Sequence, residues 1–292
     1  MPIRLIATDL DGTLVGPAMQ VPLRTRRALL QAMAQGCRVT IATGRAFLPT
    51  ARVARQLGLN APLLLCQGAL IQDLQDGRIV HCQAISLELA HQVIRYAQAR
   101  RLNVQVHLED EQAYADHNNP SIARMSAISG VPIVTVPDLN AWLSRPPLKF
   151  LFYEPRDRIA ELLHDLRTEF GDRLQVVQSH HNLVEVTHLH VSKGRALAWL
   201  AEYLDIDRCE TMAIGDHDND VSMLQWAGLG VAMGQASPTA QAAADVVAPI
   251  LPEPAGPTQI DPISGRTFPP HDEGVAWAVE RYVLQSEQGQ FG

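Results

Sequence analysis

Two carboxylates lie two positions apart near the start of the chain, in the run DLDGT that begins at Asp9 and includes Asp11. The apolar residues 3–8 that precede this run predict a short buried strand, so both carboxylates would lie at its carboxyl end. A carboxylate can attack phosphorus and form an acyl phosphate that water then hydrolyses, while a second carboxyl moves the protons. The run therefore suits phosphoryl transfer, although a plain turn after a strand explains it equally well when it is taken alone.

A hydroxyl and several backbone N–H groups follow the second predicted strand, in the run Thr43-Gly44-Arg45. Because this run precedes a predicted helix, the N–H groups at the start of that helix favour an anion such as phosphate. A helix cap is an equally good interpretation of Thr43. The run therefore predicts an anion site only in combination with other residues.

Lysine is rare in this chain, since only Lys149 and Lys193 occur among its 24 basic residues. Lys193 is predicted at the start of a helix, where the helix dipole disfavours a cation. A compact ammonium at that position indicates a nearby anion such as a phosphate or an acyl phosphate. The alternative is an exposed residue at a helix start.

A dense acidic run, GDHDND at residues 215–220, follows another predicted strand. Close carboxylates repel one another unless a cation neutralises them, and an oxygen-preferring ion such as Mg²⁺ suits such a loop. A calcium-binding EF-hand loop is rejected, because its twelfth position, counted from Asp216, is Ala227 and not a glutamate.

The elements that must position these four stretches alternate between strand and helix. Helices are predicted over Leu23–Ala34, with Pro22 as the first helical residue, and over Phe47–Gln56. The alternation predicts a Rossmann-like α/β fold with a doubly wound parallel sheet, in which ligands collect at the carboxyl ends of the strands. It stops near Ser86 and resumes after Ser192.

The stretch in between predicts an α+β domain, residues 84–187, inserted into a core formed by residues 1–83 and 188–292. Near the end of the core, the proline-rich stretch 251–270 predicts a surface loop, and a last helix is predicted over Asp272–Leu284.

The net charge of -7 and the isoelectric point near 5.9 argue against nucleic acid as a partner. The sequence predicts neither a signal peptide nor a membrane span, so no membrane partner and a cytoplasmic location are expected. Its four cysteines are expected to be reduced thiols. Oligomeric state is not predicted.

The order DLDGTL at Asp9, ATGR at Thr43, SKG at Lys193 and GDHDND at Asp216 resembles the haloacid dehalogenase (HAD) superfamily, Cof-type phosphatase branch, over nearly the whole chain. The resemblance implies a Mg²⁺-dependent phosphatase that hydrolyses small phosphorylated metabolites through a phospho-aspartyl intermediate. It also implies that the inserted domain is a cap over the site. One departure is Gln67, where many relatives have asparagine.

The resemblance also implies a role for each motif residue. Asp9 would be the nucleophile, and Asp11 the general acid and base. Metal ligands would be Asp9, Asp11 through its carbonyl, Asp216 and Asp220. The phosphoryl group would be bound by Asp11, Thr43, Gly44, Arg45, Lys193 and Asn219.

Other functions stay open at this stage. A phosphomutase, a phospho-receiver module and a binding protein on the same scaffold are alternatives, and sugar, nucleotide, flavin and pyridoxal phosphates are all candidate substrates. A histidine metal site at His188 and His190, or at His180 and His181, is not expected, because no third ligand has a suitable spacing. His217 is expected to modulate the acidic loop in its charged form.

Overall fold

The computed structural model describes residues 1–16, 19–116, 131–180, 182–250, 259–260, 267–268 and 273–285. The chain divides into two compact units, of which the first comprises residues 1–80 and 192–292 and the second comprises residues 81–191. The limits of the inserted domain at 84 and 187 stay a prediction.

Strands and helices alternate in the first unit as far as β3, and the alternation resumes after residue 192. The elements up to residue 82 are β1 (Leu5–Thr8), α1 (Leu23–Ala34), β2 (Arg38–Ile41), α2 (Phe47–Leu57), β3 (Leu63–Leu65), β4 (Leu70–Gln72) and β5 (Ile79–Cys82).

The second unit is richer in strands. Its elements are α3 (Leu87–Ala99), β6 (Asn103–His107), β7 (Ala113–Ala115), β8 (Ile133–Thr135), α4 (Leu139–Trp142), β9 (Lys149–Tyr153), α5 (Ile159–Phe170), β10 (Leu174–His180) and β11 (Leu183–His188).

The chain then returns to the first unit. The remaining elements are α6 (Lys193–Tyr203), β12 (Thr211–Gly215), α7 (Val221–Trp226), β13 (Leu229–Ala232), α8 (Pro238–Ala243), β14 (Val246–Val247), β15 (Gln259–Ile260), β16 (Thr267–Phe268), α9 (Gly274–Val279) and a π-helical segment (Glu280–Leu284).

The core of the first unit is a five-stranded sheet in the order β14-β13-β12-β1-β2, and all of its pairs are parallel. Every residue of β1 is buried, as the apolar run at residues 3–8 predicts. A bridge between Ala42 and Leu64 extends the parallel arrangement towards β3. The predicted fold class, a doubly wound α/β sheet with an inserted α+β unit, is confirmed.

One predicted helix limit needs correction, and the last helix is not an α-helix throughout. Pro22 has φ -55° and ψ 144°, so α1 begins at Leu23 and Pro22 is the residue before it rather than the first helical one. The last helix changes from α to π at Glu280. The predicted helix start at Asp272 lies outside the described residues, as does most of the proline-rich stretch 251–270, of which only β15 and β16 are described, as a short antiparallel pair.

The second unit contains a six-stranded sheet in the order β10-β11-β9-β6-β7-β8. Phe150 and Phe152 of β9 belong to the apolar core of this unit. Lys149 lies on the other face of the same strand, where its ammonium is 2.7 Å from the carboxylate of Glu185. Only 7% of Lys149 and 3% of Glu185 are exposed. This sheet therefore encloses an ion pair on one face and an apolar core on the other.

None of the helices in the described ranges combines the length and the apolar character that crossing a bilayer requires.

The buried ring of His107 predicts a loss of stability in acid. Burial, assisted by the nearby Lys149, lowers the pKa of His107 to about 3 from an ordinary value of 6.5. The unfolded chain binds this proton below about pH 6.5 and the folded chain only near pH 3, so stability falls as the pH drops through this window. Between pH 7 and pH 5 the loss is about 2 kcal/mol. Urea unfolding at both pH values should show it in the wild type and not in His107→Gln; an equal pH dependence in the two proteins would contradict this role of His107.

Candidate active site

Three neighbouring strands of the core sheet end at the same edge. Thr8, the last residue of β1, pairs with Ile214 of β12 on one side and with Ile41 of β2 on the other. The Asp9 N–H donates a hydrogen bond of 2.8 Å to the Ile214 carbonyl, so the strand pairing continues for one more residue. The loops that carry the predicted site residues therefore start side by side.

The ammonium of Lys193 lies between two of the predicted site carboxylates. Its Nζ donates to Asp9 Oδ1 at 2.5 Å and to Asp220 Oδ1 at 2.6 Å, and only 1% of the lysine is exposed. Lys193 is the first residue of α6, and Ser192 caps this helix by accepting the Arg195 N–H at 3.2 Å. The helix start therefore places the cation against the strand ends, where its observed partners are two carboxylates; the phosphate expected beside it stays a prediction.

The carboxylates of Asp9, Asp216 and Asp220 form a buried cluster, in which one oxygen of each lies within 4.8 Å of the others. The second oxygen of Asp220 accepts the N–H groups of Asp216 at 2.9 Å and of His217 at 3.0 Å. Asp220 comes this close because residue 215 is glycine: a Cβ there would lie 2.5 Å from the Asp220 Cβ. The acidic loop therefore folds back on itself and brings the carboxylates of Asp216 and Asp220 close to Asp9.

The charges in this cluster shift the protonation of its members. Burial raises the pKa of Asp9 well above its ordinary value, and the neighbouring carboxylates raise it further, while Lys193 opposes the rise. Burial alone would lower the pKa of Lys193, but Asp220 and Asp9 outweigh burial and raise it. The lysine is therefore held as an ammonium, whereas Asp9 needs more positive charge nearby to act as a carboxylate nucleophile.

This donor set fits a divalent cation. Three buried carboxylates face a single ammonium, so the cluster carries an excess of negative charge when its acids are ionised. Carboxylate oxygens are the ligands that Mg²⁺ prefers, and the ion commonly takes one or two of them together with a substrate phosphate. Asp9, Asp216 and Asp220 are thus the residues that could hold it.

Asp11 lies beside this cluster and is bound by Arg45. The guanidinium donates two hydrogen bonds to the Asp11 carboxylate, from Nε to Oδ2 at 2.7 Å and from Nη2 to Oδ1 at 2.6 Å. The pair is partly exposed, with 47% of the Asp11 side chain accessible. The Arg45 N–H also donates to the hydroxyl oxygen of buried Thr43 at 3.2 Å. The run at residues 43–45 therefore positions Asp11 as well as offering groups to an anion.

Asn219 is exposed and contacts a residue of a further loop. Its Nδ2 donates to Oε1 of Gln67 at 3.0 Å. Gln67 follows β3 in the turn Cys66–Gly68, which is anchored by a hydrogen bond from the Gln67 N–H to the Thr43 carbonyl at 2.9 Å. All the predicted site residues thus lie in the first unit, in loops that follow its strands or, for Lys193, at the start of α6.

Two residues that the sequence did not mark as functional support the loops of the site. The Thr13 hydroxyl donates to Asp216 Oδ1 at 3.2 Å. Gln235 donates from Nε2 to the Gly12 carbonyl at 2.7 Å. Thr13 belongs to the DLDGT run, and its place in that motif could have indicated a role in the site. No local sequence pattern indicates a role for Gln235.

The histidines behave differently from the acidic residues. His188 Nδ1 accepts the His190 N–H at 3.1 Å. In the described ranges, the only group of three side chains that could bind a metal ion together is the one around Asp9. The side chains of His180 and His181 lie outside the described residues. His217 Nδ1 accepts the Asp218 N–H at 2.8 Å. The charged form expected for His217 stays a prediction.

Comparisons with known proteins give a family match and several named relatives. Residues 6–253 match the family described as haloacid dehalogenase-like hydrolase. The phosphatase YwpJ of Bacillus subtilis is 31% identical over 271 residues, which span 84% of this chain and 94% of the relative. The HMP-PP phosphatase of Yersinia enterocolitica is 30% identical over 236 residues, which span 80% of this chain and 85% of the relative.

A solved structure agrees at the level of the fold. The crystal structure of TM0651 from Thermotoga maritima has a TM-score of 0.80 at 27% identity, with 96% of this chain and 97% of that chain covered.

Removing the Lys193 ammonium should destabilise the protein. Lys193→Met leaves the buried carboxylates of Asp9 and Asp220 without their cation, and we expect a loss of about 3–5 kcal/mol in the free energy of unfolding in metal-free buffer. Adding Asp220→Asn to this variant removes one of the two charges and should restore part of the loss. Urea unfolding followed by circular dichroism measures both values. Equal stability of the wild type and Lys193→Met would show that the ion pairs are not formed.

Proposed function

Because this chain belongs to the haloacid dehalogenase-like hydrolase family and is a phosphatase, we propose that it hydrolyses small phosphorylated metabolites in a Mg²⁺-dependent reaction with Asp9 as nucleophile. The observation that carries the proposal is the position of Asp9 at a strand end, beside both the ammonium of Lys193 and the carboxylates of Asp216 and Asp220. Such a site combines a nucleophile, a cation for the phosphoryl group and ligands for a metal.

In the first step the carboxylate of Asp9 attacks phosphorus and the bond from phosphorus to the ester oxygen breaks. Asp11 gives its proton to this leaving oxygen, so the alcohol departs neutral. Both oxygens of Asp11 accept hydrogen bonds from Arg45, so at least one of these bonds has to break before Asp11 can carry and deliver a proton. Arg45 would then be available to the phosphoryl group, as the sequence predicted.

In the second step water attacks the acyl phosphate on Asp9 while Asp11 accepts its proton, and the products are inorganic phosphate and the regenerated Asp9 carboxylate. Lys193 offers charge to the phosphoryl oxygens in both steps. The Thr43 oxygen already accepts an N–H, so its own O–H is left to donate to phosphate. Asn219 offers the second hydrogen of its Nδ2 group.

Mg²⁺ would be held by Asp9, Asp216, Asp220 and the Asp11 carbonyl, and when bound it would offset the carboxylates and attract the substrate phosphate. The inserted residues 84–187 are proposed to select the substrate, as a cap would. The cytoplasm is the proposed compartment.

Replacing the nucleophile should abolish hydrolysis. Asp9→Asn changes the side-chain volume very little but removes the attacking carboxylate, so we expect kcat for p-nitrophenyl phosphate to fall by roughly 10³-fold or more. The matched control is Asp76→Asn, because Asp76 is an exposed acid in the turn between β4 and β5. This substitution should leave kcat unchanged. Asp9→Asn with wild-type turnover would refute the mechanism, and transfer of the phosphoryl group to an added sugar phosphate without release of inorganic phosphate would indicate a phosphomutase.

Chelation should stop the reaction reversibly. Excess EDTA should abolish release of p-nitrophenol, and added Mg²⁺ should restore it, whereas NaCl at the same ionic strength should not. Independently of activity, Mg²⁺ should raise the midpoint of thermal unfolding of the wild type, because a ligand that binds the folded state stabilises it. Asp216→Asn should reduce this shift. Full activity in EDTA, or an equal Mg²⁺ shift in the variant, would contradict the assignment of the metal ligands.

A further inference from the structure

The turn after β3 has an unusual backbone. Cys66 has φ 51° and Gln67 has φ 61°, so two successive residues with side chains adopt the left-handed conformation that normally favours glycine or asparagine. Such a conformation costs free energy and persists only where the surroundings impose it. The fold therefore holds the Gln67 side chain in its position at a cost in conformational free energy.

Two backbone contacts impose this conformation. The Cys66 N–H donates to the Arg45 carbonyl at 3.0 Å, and the Gln67 N–H donates to the Thr43 carbonyl at 2.9 Å. Both acceptors belong to the proposed phosphate-binding run. The turn is thus fixed to that run as well as to the strands β3 and β4 that it connects.

The Gln67 side chain spans two loops of the site. A Cβ at position 44 would lie 2.5 Å from Gln67 Nε2, so the amide covers Gly44 closely and only glycine allows this approach. The oxygen of the same amide, Oε1, accepts a hydrogen bond from Asn219 Nδ2 at 3.0 Å. One amide therefore connects the loop after β2 with the loop after β12, next to Asp220.

We propose that Gln67 is a positioning residue that orients the amide of Asn219 towards the phosphoryl group. The terminal torsion of an exposed asparagine is broad, so without a partner the Asn219 amide would sample many orientations. The bond to Gln67 uses one Nδ2 hydrogen and fixes the direction of the other. The glutamine has the length to bridge Gly44 and Asn219, and this reach explains why the strained backbone is maintained.

This inference rests on the proposed function for the role of Asn219, but its test does not need turnover. Binding of inorganic phosphate to the Mg²⁺-containing protein is measured by calorimetry, together with KM and kcat for p-nitrophenyl phosphate. Gln67→Met keeps the volume over Gly44 and removes the hydrogen bond. We expect it, like Asn219→Ala, to weaken phosphate binding and raise KM roughly three- to tenfold with little change in kcat.

The double variant of Gln67→Met and Asn219→Ala should bind phosphate no more weakly than Asn219→Ala alone, since the two residues act as one unit. Gln67→Gly relieves the left-handed strain, so its thermal midpoint should be equal to or above that of the wild type while its phosphate binding falls. A merely structural residue would not separate stability from binding in this way. The matched control is Gln72→Met, a buried glutamine of β4 that donates to the Gly77 carbonyl and should leave phosphate binding unchanged.

Wild-type phosphate binding in Gln67→Met and Gln67→Gly, additive losses in the double variant, or no phosphate binding by the wild type would each overturn the inference. A wild type that binds phosphate with the expected variant pattern but hydrolyses no ester would leave the inference intact and refute the proposed function instead.

Discussion

Between the carboxylates of Asp9 and Asp220 lies a buried ammonium, and much of the geometry of the site follows from this contact. A buried lysine keeps its charge only where carboxylates offset the cost of removing it from water. Here the two carboxylates come from the loops after β1 and β12, so satisfying Lys193 requires these loops to meet. Asp216, four residues before Asp220, lies in the same cluster. The carboxylates that surround Lys193 therefore also form a candidate site for a metal cation.

The regular geometry of parallel strands explains how much of this could be predicted. Asp9, Thr43 and Asp216 each follow an apolar run that reads as a buried strand, and all such strands in a doubly wound sheet end at the same edge. The prediction that these residues meet does not depend on the order β12-β1-β2, because neighbouring parallel strands in any order present their carboxyl ends together. The extent of α1 after Pro22 could also be predicted, since periodicity and flanking breakers are local signals.

Side-chain partners could not be predicted in the same way, because they depend on loop backbones. Nothing in the residues around Gln67 signals a left-handed conformation, for which glutamine has no intrinsic preference. The contact of Arg45 with Asp11 depends on how two loops approach each other, and the sequence pattern indicated only that Arg45 would face the site. Thr13 was within the recognised run, but its bond to Asp216 depends on the return of the chain after Gly12.

The two cations of the site are of different types, and their surroundings explain the difference. Lys193 has to contact two carboxylates inside a nearly closed space, which suits a compact ammonium whose three hydrogens rotate freely. Arg45 reaches one partly exposed carboxylate, and its planar fork matches both oxygens of Asp11. In a chain with only two lysines, the other one, Lys149, is also buried against a carboxylate, that of Glu185. Both lysines of this protein are therefore buried cations. The ion pairs at the described surface use arginine, whose guanidinium is more weakly hydrated than an ammonium and binds in a fixed plane.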